Sequence, residues 1–171
     1  MTNTDICNMA LSYLARTMIK SVEENSEEAR QCQMFYETTR KLLLRSYPWG
    51  FANRLIRLAP LDRALPGFSF VYKYPSSCLA VRYVYDTAGA GRRIKEKAPF
   101  EVMMTEGDVT VIATDVEDAW AEYTADVRDV DSFSPEFSEA LAHYLASQMA
   151  MPLTGNANVK MTEYQLFQAL A

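Results

Sequence analysis

A single histidine and one cluster of carboxylates are the side chains in this 171-residue chain whose types could support catalysis or metal binding. His143 could act as a general base because imidazole titrates near neutral pH. It has no recognisable nucleophile partner, which favours a structural role. Asp126, Asp129 and Asp131 could offer oxygens to a cation, but calcium takes six to eight oxygen ligands and Arg128 lies among them. We therefore expect a solvated or partner-facing loop.

Other catalytic motifs are incomplete. Gly89-Ala90-Gly91 is only a GxG, with no strand–helix unit of the right spacing after it. Gly67-Phe68-Ser69-Phe70 lacks the second glycine of a nucleophile elbow. Cys7, Cys32 and Cys78 are widely spaced, which predicts reduced, buried small apolar residues. The sequence predicts no enzyme, no cofactor and no metal, although a pair of carboxylates that hydrolyses glycosides stays open.

Composition sets the class of protein. Hydrophobic residues make up 49% of the chain and charged residues 23%, which excludes disorder and low-complexity repeats. No apolar run approaches the ~18 residues of a membrane span, and the first residues do not resemble a secretory signal. We therefore expect one globular domain over residues 1–171 and no membrane partner.

The charge is unevenly distributed along the chain. Residues 1–97 carry 15 Lys and Arg against 9 Asp and Glu, whereas residues 98–171 carry 2 against 13. Either the two halves present fields of opposite sign that pair copies or partners, or they interleave and only solvate the surface. Both interpretations stay open at this point.

The strongest positive feature is a basic run in the most irregular segment, residues 86–97. Arg92, Arg93, Lys95 and Lys97 could contact phosphates of DNA. They could also dock on an acidic surface, including residues 115–139 of a neighbouring copy. A solvated hairpin tip is the plain alternative.

The periodicity predicts an α+β fold, a helical bundle with an inserted antiparallel β-sheet or hairpin region. Thr4 is the expected cap of the first helix, Asn25 and Glu28 the capping box of the second, and Ser134-Pro135 the start of the third. Four or five antiparallel strands are expected. In one of them Phe68, Phe70, Tyr72 and Tyr74 alternate with other residues, which indicates a sheet packed on helices in preference to a stacking surface for nucleic acid. Helices are expected at about 4–16, 25–46, 134–151 and 158–170, with a break at 152–155 and β structure over about 53–127. Within that β region, Phe100 to Met104 and Val109 to Ala113 are expected to form a hairpin.

Several segments in a fixed order carry a resemblance to a known family. The chain resembles the tail tubular protein A or head-to-tail adaptor proteins of short-tailed phages and prophages, and more distantly the head–tail connectors of long-tailed phages. The resemblance covers nearly the whole chain, and some members have longer C-termini. The segments are Ile6-Cys7-Asn8-Met9-Ala10-Leu11, Ser26-Glu27-Glu28-Ala29-Arg30, Tyr47-Pro48-Trp49-Gly50-Phe51-Ala52, Tyr72-Lys73-Tyr74-Pro75, Cys78-Leu79, Tyr123-Thr124, Phe133-Ser134-Pro135-Glu136-Phe137, Ala140-Leu141, Leu145-Ala146 and Pro152-Leu153-Thr154-Gly155.

The resemblance implies a structural virion protein in the tail or neck, made in the host cytoplasm. Copies would form a dodecameric ring under the portal protein, continue the channel for passing genomic DNA without sequence specificity, and support a tail nozzle like tail tubular protein B. No catalysis or cofactor is implied. Under this hypothesis the interface candidates are Arg92, Arg93, Lys95, Lys97, Asp126, Asp129, Asp131, Tyr164, Phe167 and Leu170.

Two alternatives belong to other classes of protein. A DNA-binding module would use the basic loop 92–97 as a lone subunit, with an affinity that falls steeply with salt. A small phage hydrolase would need a pocket with perturbed acids. The overall net charge of −5 disfavours the DNA-binding module.

Overall fold

This computed structural model describes residues 1–86 and 96–170 of the chain. These residues contain four α-helices and seven strands. The predicted α+β class is confirmed, because two helices at each end of the chain flank an antiparallel β region. The helices are α1 (Asn3–Tyr13), α2 (Glu27–Ser46), α3 (Pro135–Thr154) and α4 (Ala157–Leu170). The strands are β1 (Asn53–Arg57), β2 (Phe70–Lys73), β3 (Cys78–Asp86), β4 (Glu96–Ala98), β5 (Phe100–Thr105), β6 (Val109–Thr114) and β7 (Trp120–Ala125).

The chain forms two compact units. The helical unit joins Met1–Tyr47 to Val127–Ala171, and the β unit is the continuous segment Pro48–Asp126. Both ends of the chain therefore belong to the helical unit. None of the helices described is long and apolar enough to cross a membrane.

The first helix begins earlier than expected. Thr2, not Thr4, is the N-cap, and a capping box joins it to Asp5. The Asp5 carboxylate accepts the Thr2 N–H at 2.7 Å, and this bond lowers the pKa of Asp5. The helix ends at Tyr13 rather than near Arg16, because the chain turns out of the helix with a positive φ of 52° at Ala15.

The second helix has a different cap from the predicted one. Ser26 is the N-cap, and its hydroxyl accepts the Ala29 N–H at 3.2 Å. The expected Asn25–Glu28 box is wrong, because Glu28 instead accepts from the Arg16 guanidinium at 2.8 Å. This ion pair joins the connection after α1 to the first turn of α2.

The third helix confirms its predicted start and corrects its end. Ser134 caps it and Pro135 is its first residue. The break expected from Pro152 is wrong, since the helix continues to Thr154. A proline in the last turn removes one backbone donor only, and the Thr154 hydroxyl donates to the Ala150 carbonyl at 2.6 Å. Gly155 then ends the helix with a positive φ of 65°.

The β unit contains two antiparallel sheets. One has the strand order β1-β7-β3-β4, and the other has the order β2-β6-β5. The predicted hairpin of residues 100–113 is confirmed, because β5 and β6 pair in register from Phe100 opposite Thr114 to Thr105 opposite Val109. Gly107, with a φ of 86°, supplies the tight turn between them.

The core of the β unit lies between its two sheets. Val84 and Ala121 from the first sheet meet Tyr72 and Ile112 from the second, all four buried. The Tyr72 hydroxyl donates to the Val116 carbonyl at 2.7 Å, which satisfies this buried polar group. The expectation that this aromatic strand packs on helices is therefore wrong for this cluster, since one sheet covers the other.

Candidate interaction surfaces

The aspartates considered for a metal site serve separate local roles. Asp126 belongs to the β unit, whereas the other two belong to the helical unit. The Asp129 carboxylate accepts from the Ser132 hydroxyl at 3.0 Å, and Asp131 accepts from the N-terminal amine of Met1 at 3.0 Å. The Asp131 bond raises the pKa of this amine. Across residues 1–86 and 96–170, no three His, Cys, Asp or Glu side chains are placed to share a metal ion.

His143 takes part in a buried polar contact that the sequence did not reveal. Its Nδ1 lies 2.7 Å from the Glu163 carboxylate, and both side chains are nearly buried. The imidazole stacks on the Tyr13 ring with centroids 4.2 Å apart. The sequence feature that could have indicated this contact is the position of Glu163. It falls four residues after Val159 and four before Phe167, on the inward-facing stripe of α4. This geometry supports the structural role expected for His143.

Of the three interface candidates in α4, Tyr164 has an exposed side chain and the other two are more buried. Tyr164 is 38% exposed, whereas Leu170 is half-buried. Phe167 is buried and stacks on Tyr144 with ring centroids 4.4 Å apart. Phe167 therefore holds α4 against α3 in this conformation, and its place at an interface stays a prediction.

The basic run is described only at its last member. Lys97 is exposed in β4, and its ammonium lies 3.5 Å from the centre of the Tyr83 ring. It pairs across the sheet with Tyr85. Arg92, Arg93 and Lys95 lie outside the described residues.

A hydrogen-bonded carboxylate lies on the same face of this sheet. Glu122 accepts hydrogen bonds from the Asn53 amide at 2.8 Å and from the Tyr85 hydroxyl at 2.7 Å. Burial and this bond to Glu122 raise the pKa of Tyr85 to about 12. The Tyr85 hydroxyl therefore stays protonated and holds Glu122 close to the sheet.

The structure locates the charge asymmetry in the β unit. Residues 48–97 carry nine Lys and Arg against three Asp and Glu, whereas residues 98–126 carry eight Asp and Glu and no Lys or Arg. The acidic part contains β5, β6 and β7, and the basic part contains β1 to β4. Where the two parts meet, the Arg57 guanidinium binds Asp118 at 2.5 Å.

Six carboxylates of the acidic part are exposed, in β5, in the turn that follows it and in the connection to β7. The basic part exposes the arginines of β1 and Lys97 of β4. Exposed carboxylates therefore lie on the edge strand β5 and its turn, and exposed arginines lie on the edge strand β1, although the acidic β7 lies between the basic β1 and β3. The exposed carboxylates are those of Glu101, Glu106, Asp108, Asp115, Glu117 and Asp118.

The described part of the β unit includes a larger and a smaller surface cavity. The larger, of about 460 Å³, is lined by Arg63, Ala64, Leu65, Met104, Thr105 and Glu106. The smaller, of about 200 Å³, lies beside Leu58 and Lys73.

Comparison of the chain with protein-family models and with curated proteins finds no match.

Proposed function

We propose that this chain is a structural virion protein, a head-to-tail adaptor. Copies would dock under a phage portal as a ring, continue the DNA channel and support the tail nozzle. The observation that carries the proposal is the charge split within the β unit. A ring brings two different surfaces of each subunit together, and opposite charges on those surfaces favour this contact over pairing of like surfaces.

The exposed side of α4 supports a second attachment surface. Met161, Tyr164 and Leu166 are 55%, 38% and 44% exposed, although Phe167 of the same helix is buried. Met161 and Tyr164 are three residues apart and lie side by side on the helix surface, whereas Leu166 lies on the other flank of the buried stripe. Neighbouring exposed apolar side chains such as Met161 and Tyr164 are typical of surfaces that another protein covers. We assign this surface to the portal or the nozzle, which is consistent with the family resemblance of the sequence.

The test is co-sedimentation with the portal ring encoded by the same genome, scored by native mass. We expect saturable binding at one copy per portal subunit. Reversing the charge at Arg92, Arg93, Lys95 and Lys97 to glutamate should impair assembly and leave the fold intact. The matched control reverses Lys20, Arg30, Lys41 and Lys160 of the helical unit, which changes the net charge equally.

Each other outcome points elsewhere. If the basic-run variant and the control variant impair assembly equally, the effect comes from net charge, and the basic run is removed from the proposal. Absence of binding to the portal would overturn the adaptor. Salt-sensitive binding of the lone subunit to DNA, lost in the first variant only, would instead favour the DNA-binding module.

A further inference from the structure

Two strands of the β unit have outer edges that are open within the described residues. β1 pairs only with β7, and β5 pairs only with β6. An open edge exposes backbone N–H and C=O groups that can accept a further strand. β1 has five residues and β5 has six, long enough for a ladder of several hydrogen bonds.

The other two edges are closed or short. The outer edge of β2 is covered by the preceding segment, because Leu61 N–H donates to the Val71 carbonyl and Lys73 N–H donates to the Ala59 carbonyl, both at 2.8 Å. Within the described residues, β4 spans three residues. The contrast singles out β1 and β5.

The edge at β5 is apolar and acidic. Val102 and Met104 are 44% and 66% exposed, although the partner of Val102 across the sheet is the fully buried Ile112. Glu101 is exposed on the same strand. Natural edge strands are usually blunted by lysine or proline, and β5 contains neither.

The edge at β1 is apolar and basic. Leu55 is 41% exposed, and Arg54 is exposed beside it. The Arg54 guanidinium donates to the backbone carbonyls of Phe51 and Asn53, both at 2.9 Å, which holds its charge close to the strand. β1 is therefore close to β5 in length, carries an exposed apolar residue as β5 does, and opposes it in charge.

We infer that β5 of one copy pairs with β1 of a second copy, so that two β units share one continuous sheet. The inference rests on the proposed ring and names the contact that joins its subunits. Pairing of β5 with β5 or of β1 with β1 would bring like charges together, whereas pairing of β5 with β1 brings Glu101 to the arginine-bearing strand. The contact is heterologous, as a ring requires.

The first test is cross-linking between separate chains in a Cys78→Ala background. Leu55→Cys and Val102→Cys proteins are mixed at high concentration and low salt and treated with a short bismaleimide. We expect a dimer linked through positions 55 and 102, identified by peptide mass. Each protein alone should give little dimer. Met34→Cys, at a more exposed position on α2, is the control partner.

The second test exchanges the charges. Arg54→Glu and Glu101→Arg should each lower the yield of the 55–102 cross-link by about threefold or more. The double variant should restore the yield, because the two edges again carry opposite charges. A yield that is the same with Met34→Cys, or that is unchanged by the single reversals, would overturn the inference.

Failure of this contact and failure of the adaptor are distinguishable. Portal binding with no 55–102 link in the bound ring would overturn the edge contact alone. A specific 55–102 link without portal binding would support the contact and overturn the adaptor. Absence of both would overturn both.

Discussion

Arg40 keeps a charged side chain inside the helical unit, where it is fully buried. Its Nη1 donates to the Val127 carbonyl at 2.6 Å, and its Nη2 lies 2.9 Å from the Glu37 carboxylate. A buried guanidinium is tolerated when its N–H donors have hydrogen-bond partners, and these two contacts supply such partners for Arg40. Arg40 thereby ties α2 to the chain where it re-enters the helical unit.

Arg40→Ala should lower the free energy of unfolding by about 2–4 kcal/mol, because it empties a buried volume and leaves the Val127 carbonyl without this donor. Urea unfolding followed by circular dichroism measures the change. Lys41→Ala, at the half-buried neighbouring position, is the control and should change stability by less than about 0.5 kcal/mol. Equal effects of the two substitutions would contradict this role for Arg40.

At the scale of elements, local patterns predicted the helices and the β5–β6 hairpin, since those signals depend on neighbours in sequence. Three local features differ from the prediction: the N-caps of α1 and α2 and the effect of Pro152 on α3. Thr2 lies two residues before the expected cap Thr4, and Ser26 lies one residue after the expected cap Asn25, where competing cap residues are equally suitable. Pro152 did not end its helix, because tertiary packing overrides propensity in a last turn. The pairing of strands into two sheets depends on distant residues and was not predictable.

The attachment of α4 rests on few buried residues, with Glu163 and Phe167 the buried ones in that helix. Phe167→Ala should lower the free energy of opening α4 by about 2–4 kcal/mol, because it removes the stack on Tyr144. Hydrogen exchange of the α4 amides measures this opening. Leu166→Ala, on the exposed side, is the control and should leave exchange nearly unchanged. Slow exchange in Phe167→Ala would show that the His143–Glu163 contact alone secures the helix.

At the scale of the whole molecule, the sequence predicted the charge asymmetry but not its location. A division at residue 97 cuts through the β unit, because the basic β1 to β4 and the acidic β5 to β7 fold together. The edge residues Leu55 and Val102 carried no signal in the sequence, since exposure at a sheet edge depends on strand order. His143 and Glu163, twenty residues apart, likewise meet only after α3 and α4 pack.

The β unit is one continuous segment of the chain, so a single deletion can remove it. Its first and last strands, β1 and β7, are adjacent, and Asn53 pairs with Thr124. Paired residues in antiparallel strands lie about 5 Å apart at Cα, and Asn53 and Thr124 are six and three residues from Tyr47 and Val127, so the gap is at most about 37 Å. A Gly-Ser linker of about 12 residues can therefore replace Pro48–Asp126. We expect the shortened chain to keep a helical circular dichroism spectrum and a cooperative thermal transition, since the helices have their own buried core.

The same variant separates the roles of the two units. Because the charge split and both open edges lie in the β unit, the shortened chain should be monomeric at concentrations where the full chain cross-links between copies. Sedimentation velocity of both proteins in low salt measures this difference. Loss of the cooperative transition would show that the helical unit requires residues 48–126 to fold. Self-association of a folded shortened chain would place a copy-to-copy contact in the helical unit, where the exposed side chains of α4 would be its first candidates.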